Sequence, residues 1–302
     1  MKKIKLVVFG SIMISSASLH AQDATVKNLQ AASSKEIKST EKDGWKRGGT
    51  FIFNVNQGTL SNWAAGGEQN TLGINTILNY AVNFRKGKNT WDSYCDLALG
   101  FQNATSFNRF RKTDDRIDIT TKYGRQLSNK WYAGLLVNFN SQSLAGYIYG
   151  KDTIKDVKNS NFLSPGKLLV SPGFDYRPSK DFSLFVSPAT VRWVFKNDND
   201  FYTKAAYGVD AFKKSNVEFG AFLTAKYNKP ITKWATYSGR LDLFSNYQHN
   251  PQNVDVFFTN LLTMKFNSWF ATNLSVDIVY DDDVIKRTKL KEILGLGLTF
   301  KL

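Results

Sequence analysis

The histidine at position 249 limits the catalytic chemistry open to this chain, because the other of its two histidines, His20, lies in the N-terminal segment. A Ser–His–carboxylate or Asp–His arrangement would need the His249 imidazole, and no acidic residue adjoins it in the run 247–251. The acidic run 281–283 lacks the spacing and the glycine of a calcium loop. The sequence therefore predicts no catalytic residue, no metal site and no cofactor, and we expect the chain not to be an enzyme.

Charged side chains instead recur at alternate positions between apolar ones. In residues 216–228, Val217, Phe219 and Leu223 alternate with Glu218 and Lys226. Successive side chains point to opposite faces of a strand, so this pattern places the charges on one face. In a closed barrel that face would line the lumen, where charges of mixed sign at similar depth would pair. The predicted lumen residues are Asp96, Lys122, Asp175, Lys226, Arg240, Asp242, Lys265 and Asp277.

The C-terminal run 294–302 indicates the kind of sheet. Leu, Leu, Leu, Phe and Leu occupy every second position, and Gly, Gly, Thr and Lys lie between them. This is typical of the closing strand of an outer-membrane β-barrel, in which a Lys or Arg facing mid-membrane lipid costs about 2–4 kcal/mol. No apolar run reaches the roughly 20 residues that a membrane helix needs.

The fold class predicted is all-β: a transmembrane antiparallel up-and-down β-barrel of about twelve strands, following an N-terminal signal peptide. Short connections alternate with longer ones, which is the asymmetry between the periplasmic and outer ends of bacterial barrels. The predicted strands lie near 49–56, 71–84, 90–103, 115–127, 131–142, 167–177, 182–194, 216–228, 234–247, 254–266, 270–281 and 288–302.

Tryptophans recur beside the short connections. Trp91, Trp131, Trp234 and Trp269 each lie at the end of a short turn or just after it. Amphipathic rings are most stable at the membrane–water interface, so we predict an interface belt of these four residues at the periplasmic end.

Two prolines interrupt otherwise alternating segments. Pro172 and Pro188 fall inside the sixth and seventh predicted strands, and proline cannot donate to a sheet ladder. We predict a bulge or weakened pairing there. A local kink that shapes the barrel is the favoured interpretation, and a lateral gap or a flexible wall is the alternative.

The N-terminus predicts export. Three lysines precede an apolar core at 6–13 and a small residue, Ala21, which together are typical of a secretory signal peptide over 1–21 that is cleaved. Residues 22–44 have the polar composition of a disordered periplasmic linker. The predicted domains are the signal peptide, this linker and a barrel over 45–302, and the predicted location is the outer membrane of a Gram-negative cell.

The first long connection, 57–70, contains a candidate mouth loop formed by Asn62, Trp63, Gly66, Gly67 and Glu68. The Gly pair permits backbone angles that would let the loop fold into the barrel mouth. With the segments 162–166 and 280–282, this stretch resembles an uncharacterised family of outer-membrane barrels, a domain of unknown function, found in Bacteroidetes-type bacteria. The resemblance covers about 45–302 and implies location and fold, without an activity.

Two functions fit these observations. One is a small channel or porin-like transporter of unknown substrate, favoured by the Gly- and Asn-rich inner faces. The other is a non-conducting structural or accessory barrel that partners other outer-membrane proteins, favoured by the mixed-sign lumen. The chain has 40 basic and 25 acidic residues, and the basic ones are scattered. We therefore expect contact with outer-membrane lipid including anionic headgroups, with the barrel-assembly machinery and with an envelope protein partner, and no nucleic-acid binding.

Overall fold

The structure is a computed structural model that describes residues 43–59, 70–107, 109–149, 156–267, 270–281 and 285–301. The predicted signal peptide and all but the end of the predicted linker lie outside the described residues. So does the candidate mouth loop from Asn62 to Glu68.

The described chain is built almost entirely from β-strands. The strands are β1 (Gly44–Thr59), β2 (Asn70–Lys86), β3 (Asn89–Ala104), β4 (Arg111–Gln126), β5 (Trp131–Ser141), β6 (Gly146–Ile148), β7 (Val157–Ser160), β8 (Gly166–Tyr176), β9 (Phe182–Phe195), β10 (Ser215–Pro230), β11 (Ala235–Asn246), β12 (Val254–Lys265), β13 (Phe270–Asp281) and β14 (Ile285–Lys301). A short 3-10 helix, Asn199–Phe201, lies between β9 and β10. Within the described residues, no helix has the length and apolar character that a membrane crossing requires.

Twelve of the described strands form one closed antiparallel barrel of up-and-down order. Each pairs with its sequence neighbour, except that β5 pairs with β8, because β6 and β7 form a separate hairpin between them. Residues 50–53 of β1 pair with 298–301 of β14 and join the two edges. The predicted all-β up-and-down barrel is confirmed.

The two faces of the barrel wall differ in polarity. Exposed outer positions carry apolar side chains such as Ile119, Leu135, Phe174, Val186 and Phe219. Buried inner positions carry charged side chains, among them Asp92, Lys122, Asp175, Arg192 and Glu218. This inversion of a soluble core suits a barrel whose outer surface meets lipid.

Strand β9 contains the bulge predicted at the prolines. Residues 187–190 of β9 lie opposite only 171–173 of β8 and only 220–222 of β10, so β9 has one extra residue relative to both neighbours. The bulge changes the phase of the strand. Phe185 and Ser187 face inward before it, and Thr190 and Arg192 face inward after it.

The bulge is closed by a buried cluster of hydroxyl groups. Thr190 Oγ1 lies 2.9 Å from both Ser171 Oγ and Ser187 Oγ, and Ser187 Oγ donates to the carbonyl oxygen of Pro172 at 2.6 Å. All three hydroxyl residues are fully buried. A Cβ at Gly173 would lie 2.3 Å from the Val186 carbonyl oxygen, so the two strands are in close contact here. The arrangement is that of a local kink and gives no sign of a lateral gap.

Candidate functional site

The lumen is the candidate site because most of the predicted lumen residues meet there. We call the end of the barrel that carries connections such as 143–165 and 196–214 the long-loop end, and the other the short-turn end. Asp96 on β3, Lys122 on β4, Asp175 on β8, and Arg240 and Asp242 on β11 are all buried inside. Lys226 on β10 is half-buried, with its Nζ 5.7 Å from the centroid of the Tyr94 ring.

The structure does not place the side chains of Lys265 and Asp277, the other two predicted lumen residues, inside the lumen. Lys265 is the last residue of β12 and is exposed at the short-turn end, because the strand ends there. Asp277 lies in β13 with its backbone opposite Thr259 and Lys291, and its side chain is outside the described set.

A first group of charges, the Asp175 cluster, lies near the short-turn end. Asp175 Oδ2 is 2.7 Å from Lys122 Nζ and 2.6 Å from Arg177 Nη2, and Arg177 also lies 3.6 Å from Asp92. The Arg177 guanidinium stacks over the Tyr132 ring at 4.6 Å. These paired charges occupy the lumen at this depth.

A second group lies at mid-depth. Asp118 accepts from the side-chain amides of Asn138 at 2.8 Å and Asn140 at 3.2 Å. Arg116 lies 3.8 Å from both Asp96 and Asp114. On another wall, Arg240 Nε donates to Asp242 Oδ1 at 2.7 Å.

A third group, the Arg192 cluster, lies toward the long-loop end. Arg192 pairs with Glu218 and with Asp255, the latter at 2.9 Å, and its guanidinium lies 3.9 Å from the centroid of the Phe244 ring. Alternation counted from the start of β9 does not place Arg192 inside, because the bulge reverses the phase. The signal for it in the sequence is Pro188.

Apolar side chains fill the space between these charges. Leu136, Phe185, Phe222 and Phe244 form a buried cluster on inner faces, with Leu169 packed against it. Each of the four is at most 7% exposed, so very little water-accessible surface remains beside them. In the part of the chain that the structure describes, the lumen is lined by paired charges and packed rings.

The long-loop end carries a cap, which we define as the paired strands β6 and β7 together with the loop 196–214. Lys158 of β7 pairs with Asp198 at 2.5 Å and with Asp200 at 3.0 Å, joining the two parts. Burial raises the pKa of Asp198, but hydrogen bonds from Lys158, Asp200 N–H and Asn161 outweigh this and lower the pKa below its usual value. The hydrogen bonds that Lys158 donates to the carboxylates of Asp198 and Asp200 raise the pKa of Lys158.

A buried lysine at the start of the loop 196–214 holds the rest of that loop in place. Lys196 is fully buried, and its Nζ donates to the carbonyl oxygens of Lys204, Val209 and Asp210, the last at 2.8 Å. Burial lowers the pKa of Lys196, and nearby Asp210 partly opposes that effect. The three carbonyl contacts fix the path of the loop.

The described tryptophans of the predicted belt lie at the short-turn end. Trp91, Trp131 and Trp234 are about half exposed on the outer surface, and the Trp131 ring packs against Tyr176 at 4.7 Å. Trp45, placed by the structure inside β1, packs against Phe84 at 4.7 Å. Trp269 lies outside the described residues, and the role of the belt stays a prediction.

The histidine offers no catalytic partner among its described contacts. His249 Nε2 lies 3.4 Å from Asn250 Nδ2 in the exposed loop after β11. Within the described residues, no group of three or more His, Cys, Asp or Glu side chains is arranged to hold a metal ion.

Fold and lumen together define a class: this is a β-barrel of the outer-membrane type, with an apolar outer surface and a charged interior. Residues 55–147 match the model of a family described as "Protein of unknown function (DUF3078)". That segment holds the candidate mouth loop, which carries the most specific part of the resemblance found in the sequence. No curated protein matches the chain.

Several solved outer-membrane barrels match most of the chain at low sequence identity. The translocator domain of the autotransporter NalP from Neisseria meningitidis has 10% identity and a TM-score of 0.40, covering 87% of this chain and 90% of its own. An outer membrane channel from Pseudomonas putida F1 has 12% identity and a TM-score of 0.40, covering 88% and 99%. Outer membrane phospholipase A from Escherichia coli has 11% identity and a TM-score of 0.37, covering 92% and 98%.

Proposed function

We propose that this chain is a non-conducting structural or accessory barrel in the outer membrane of a Gram-negative, Bacteroidetes-type bacterium. The observation that carries the proposal is the burial of the described lumen residues. Among them, ion pairs at three depths and the cluster around Phe222 and Phe244 leave very little water-accessible surface inside the barrel. A selective pore more often lines its constriction with one sign of charge.

The long-loop end supports an accessory role. The cap is held by buried and half-buried polar contacts, so it presents a fixed surface outside the barrel wall. In this proposal the signal peptide is cleaved, the barrel-assembly machinery inserts the chain, anionic headgroups contact its scattered basic residues, and an envelope protein meets the cap. The chain has no enzymatic role.

A small porin-like channel is the second candidate. The observation that favours it is the polarity of the inner wall, where Asn138, Asn140 and Asp118 would interact well with water if the ion pairs separated. The two functions differ in whether ions cross the resting barrel.

Potassium efflux from proteoliposomes tests the proposal. We expect vesicles containing the wild-type barrel to retain entrapped potassium as well as protein-free vesicles do. The double variant Arg192→Ala/Phe244→Ala removes a stacked pair from the lumen and is expected to speed efflux.

The matched control, Arg125→Ala/Phe219→Ala, removes the same residue types from exposed positions and is expected to behave as wild type. Heat-dependent gel mobility checks that each barrel is folded. Rapid potassium loss through the folded wild type would refute the accessory role and support the channel.

A further inference from the structure

A cavity of about 480 Å³ lies at the long-loop end, above the Arg192 cluster. Its roof is the segment 205–210 of the cap, and its walls come from the outer ends of β10 and β11 and the loop that follows β11. Glu218, which is buried and paired with Arg192, belongs to its floor. The polar side chains that line it include those of Asn216, Asn246, Gln248 and His249.

The roof of the cavity is preformed. Ala206 and Val209 exchange two backbone hydrogen bonds of 3.0 Å across a tight turn, with φ of 59° at Tyr207 and 76° at Gly208. Two central residues with positive φ are the mark of a type I′ turn, which has a fixed shape. Tyr207 Oη donates to the Asn159 carbonyl oxygen at 2.5 Å and ties this turn to the hairpin side of the cap.

Further contacts hold the roof from below and at its edge. The Lys196 ammonium binds the carbonyl oxygens of Val209 and Asp210, and Asn216 Nδ2 donates to the Gly208 carbonyl oxygen at 3.0 Å. A ligand would therefore meet walls that are already ordered, which lowers the entropic cost of binding.

The chemistry of the lining selects the class of ligand. Its described residues include no lysine or arginine, so nothing there would neutralise an anion. The two carboxylates are already engaged, Glu218 by Arg192 and Asp210 by Lys213 at 2.9 Å. The other polar groups of the lining are the amides of Asn216, Asn246 and Gln248 and the imidazole of His249. Asn216 Nδ2 already donates to Gly208, and Asn246 Oδ1 accepts from the Gln248 N–H at 3.0 Å, so a ligand would meet the remaining donor and acceptor atoms of these side chains.

Amide side chains donate and accept hydrogen bonds at once. A hydroxyl group also does both, so a ring that carries many hydroxyls matches such a lining. The volume falls within the range of about 300–1,000 Å³ that small-molecule sites occupy, and it far exceeds the roughly 30 Å³ share of one water. We propose that this cavity binds a neutral saccharide of two or three units at the outer face of the barrel.

The test is a binding titration by isothermal calorimetry with maltotriose, cellotriose and triacetylchitotriose, using the mature full-length barrel. The detergent must carry no sugar headgroup, since that headgroup would compete. Sialyllactose serves as the acidic comparison, and we expect at least one neutral trisaccharide to bind roughly tenfold more tightly than it.

Two variants locate the site. Ala205→Trp fills the cavity from its exposed rim, and Gln248→Leu removes an amide from its lining, so each is expected to weaken binding by roughly tenfold or more. Gln252→Leu makes the same change at an exposed position of the same loop and should bind as wild type. Heat-dependent mobility confirms that each variant is folded.

Three results would overturn the inference: no heat from any neutral trisaccharide, unchanged affinity in both folded cavity variants, or equal affinity for sialyllactose. The inference does not rest on a closed lumen, because the cavity lies between the cap and the outer ends of β10 and β11. A conducting barrel that binds the saccharide would refute only the accessory role.

Discussion

The ion pair between Lys122 and Asp175 reaches across one strand of the barrel wall. Lys122 and Asp175 are 53 residues apart, on strands that β5 separates, and Gly134 of β5 contributes no side chain between them. Pairing of this kind depends on barrel curvature and on neighbouring side-chain size, which a strand pattern does not contain.

The Asp175 cluster gives a prediction about stability. Asp175→Asn leaves Lys122 and Arg177 close together, buried, and without the carboxylate that both of them contact. We expect the free energy of unfolding to fall by about 3–5 kcal/mol, because removing one partner strands buried charge. Urea unfolding of the refolded barrel measures it.

The control is Asp210→Asn, which removes an exposed carboxylate paired with Lys213 and should change stability little. Equal stability of Asp175→Asn and wild type would mean that the Asp175 cluster is open to water.

The Lys158–Asp198 pair gives a prediction about pH. The lowered pKa of Asp198 stabilises cap docking above the unfolded value of about 3.9, and this contribution is lost as the pH falls through the folded value. The raised pKa of Lys158 stabilises docking below about 10.4, and this contribution is lost as the pH rises through its folded value. Docking is therefore strongest between these limits.

A spin label at Lys204→Cys, in a Cys95→Ser background, reports cap mobility. We expect the label to become mobile as the solution is acidified below about pH 4, and Asp198→Asn to be mobile already at neutral pH. A label that stays immobile in Asp198→Asn would show that the cap is held without this pair.

At the scale of the element, strand β9 shows which irregularities of the sheet the sequence predicts and which it does not. Proline chemistry predicts the irregularity at Pro188, since the residue has no N–H for the ladder. It does not predict that β9 has one extra residue relative to both β8 and β10. This extra residue shifts the alternation of β9, so Arg192 faces inward. The β6–β7 hairpin was not predicted either, because its strands of three and four residues are too short for a periodic signal.

Deleting Ala189 tests the role of the bulge. The deletion would remove the extra residue, so simple alternation from Ser187 would still turn Thr190 and Arg192 inward, and Arg192 would keep Glu218 and Asp255. An arginine on the lipid face costs about 2–4 kcal/mol at mid-membrane depth, so we expect the deletion variant to avoid that cost and to keep the folded gel species.

Ala189→Ser keeps the bulge and is the matched control. Loss of the folded species in the deletion variant but not in Ala189→Ser would contradict the assigned phase of β9.

At the scale of the whole molecule, antiparallel strands, apolar outer faces and closure all follow from the two-residue alternation. The twelve barrel strands match the predicted number, and their ends differ from it by a few residues; β1, for example, begins at Gly44 rather than near 49. Whether such a barrel conducts depends on how its inner side chains pack. That packing joins residues from seven or more strands, so no single segment encodes it.

The most direct test of this account is a single-channel recording of the mature wild-type barrel in a planar lipid bilayer. The account predicts no unit conductance from protein shown to be folded by its gel mobility, and steps of current from Arg192→Ala/Phe244→Ala. Stable unit conductance from the wild type would contradict the non-conducting role.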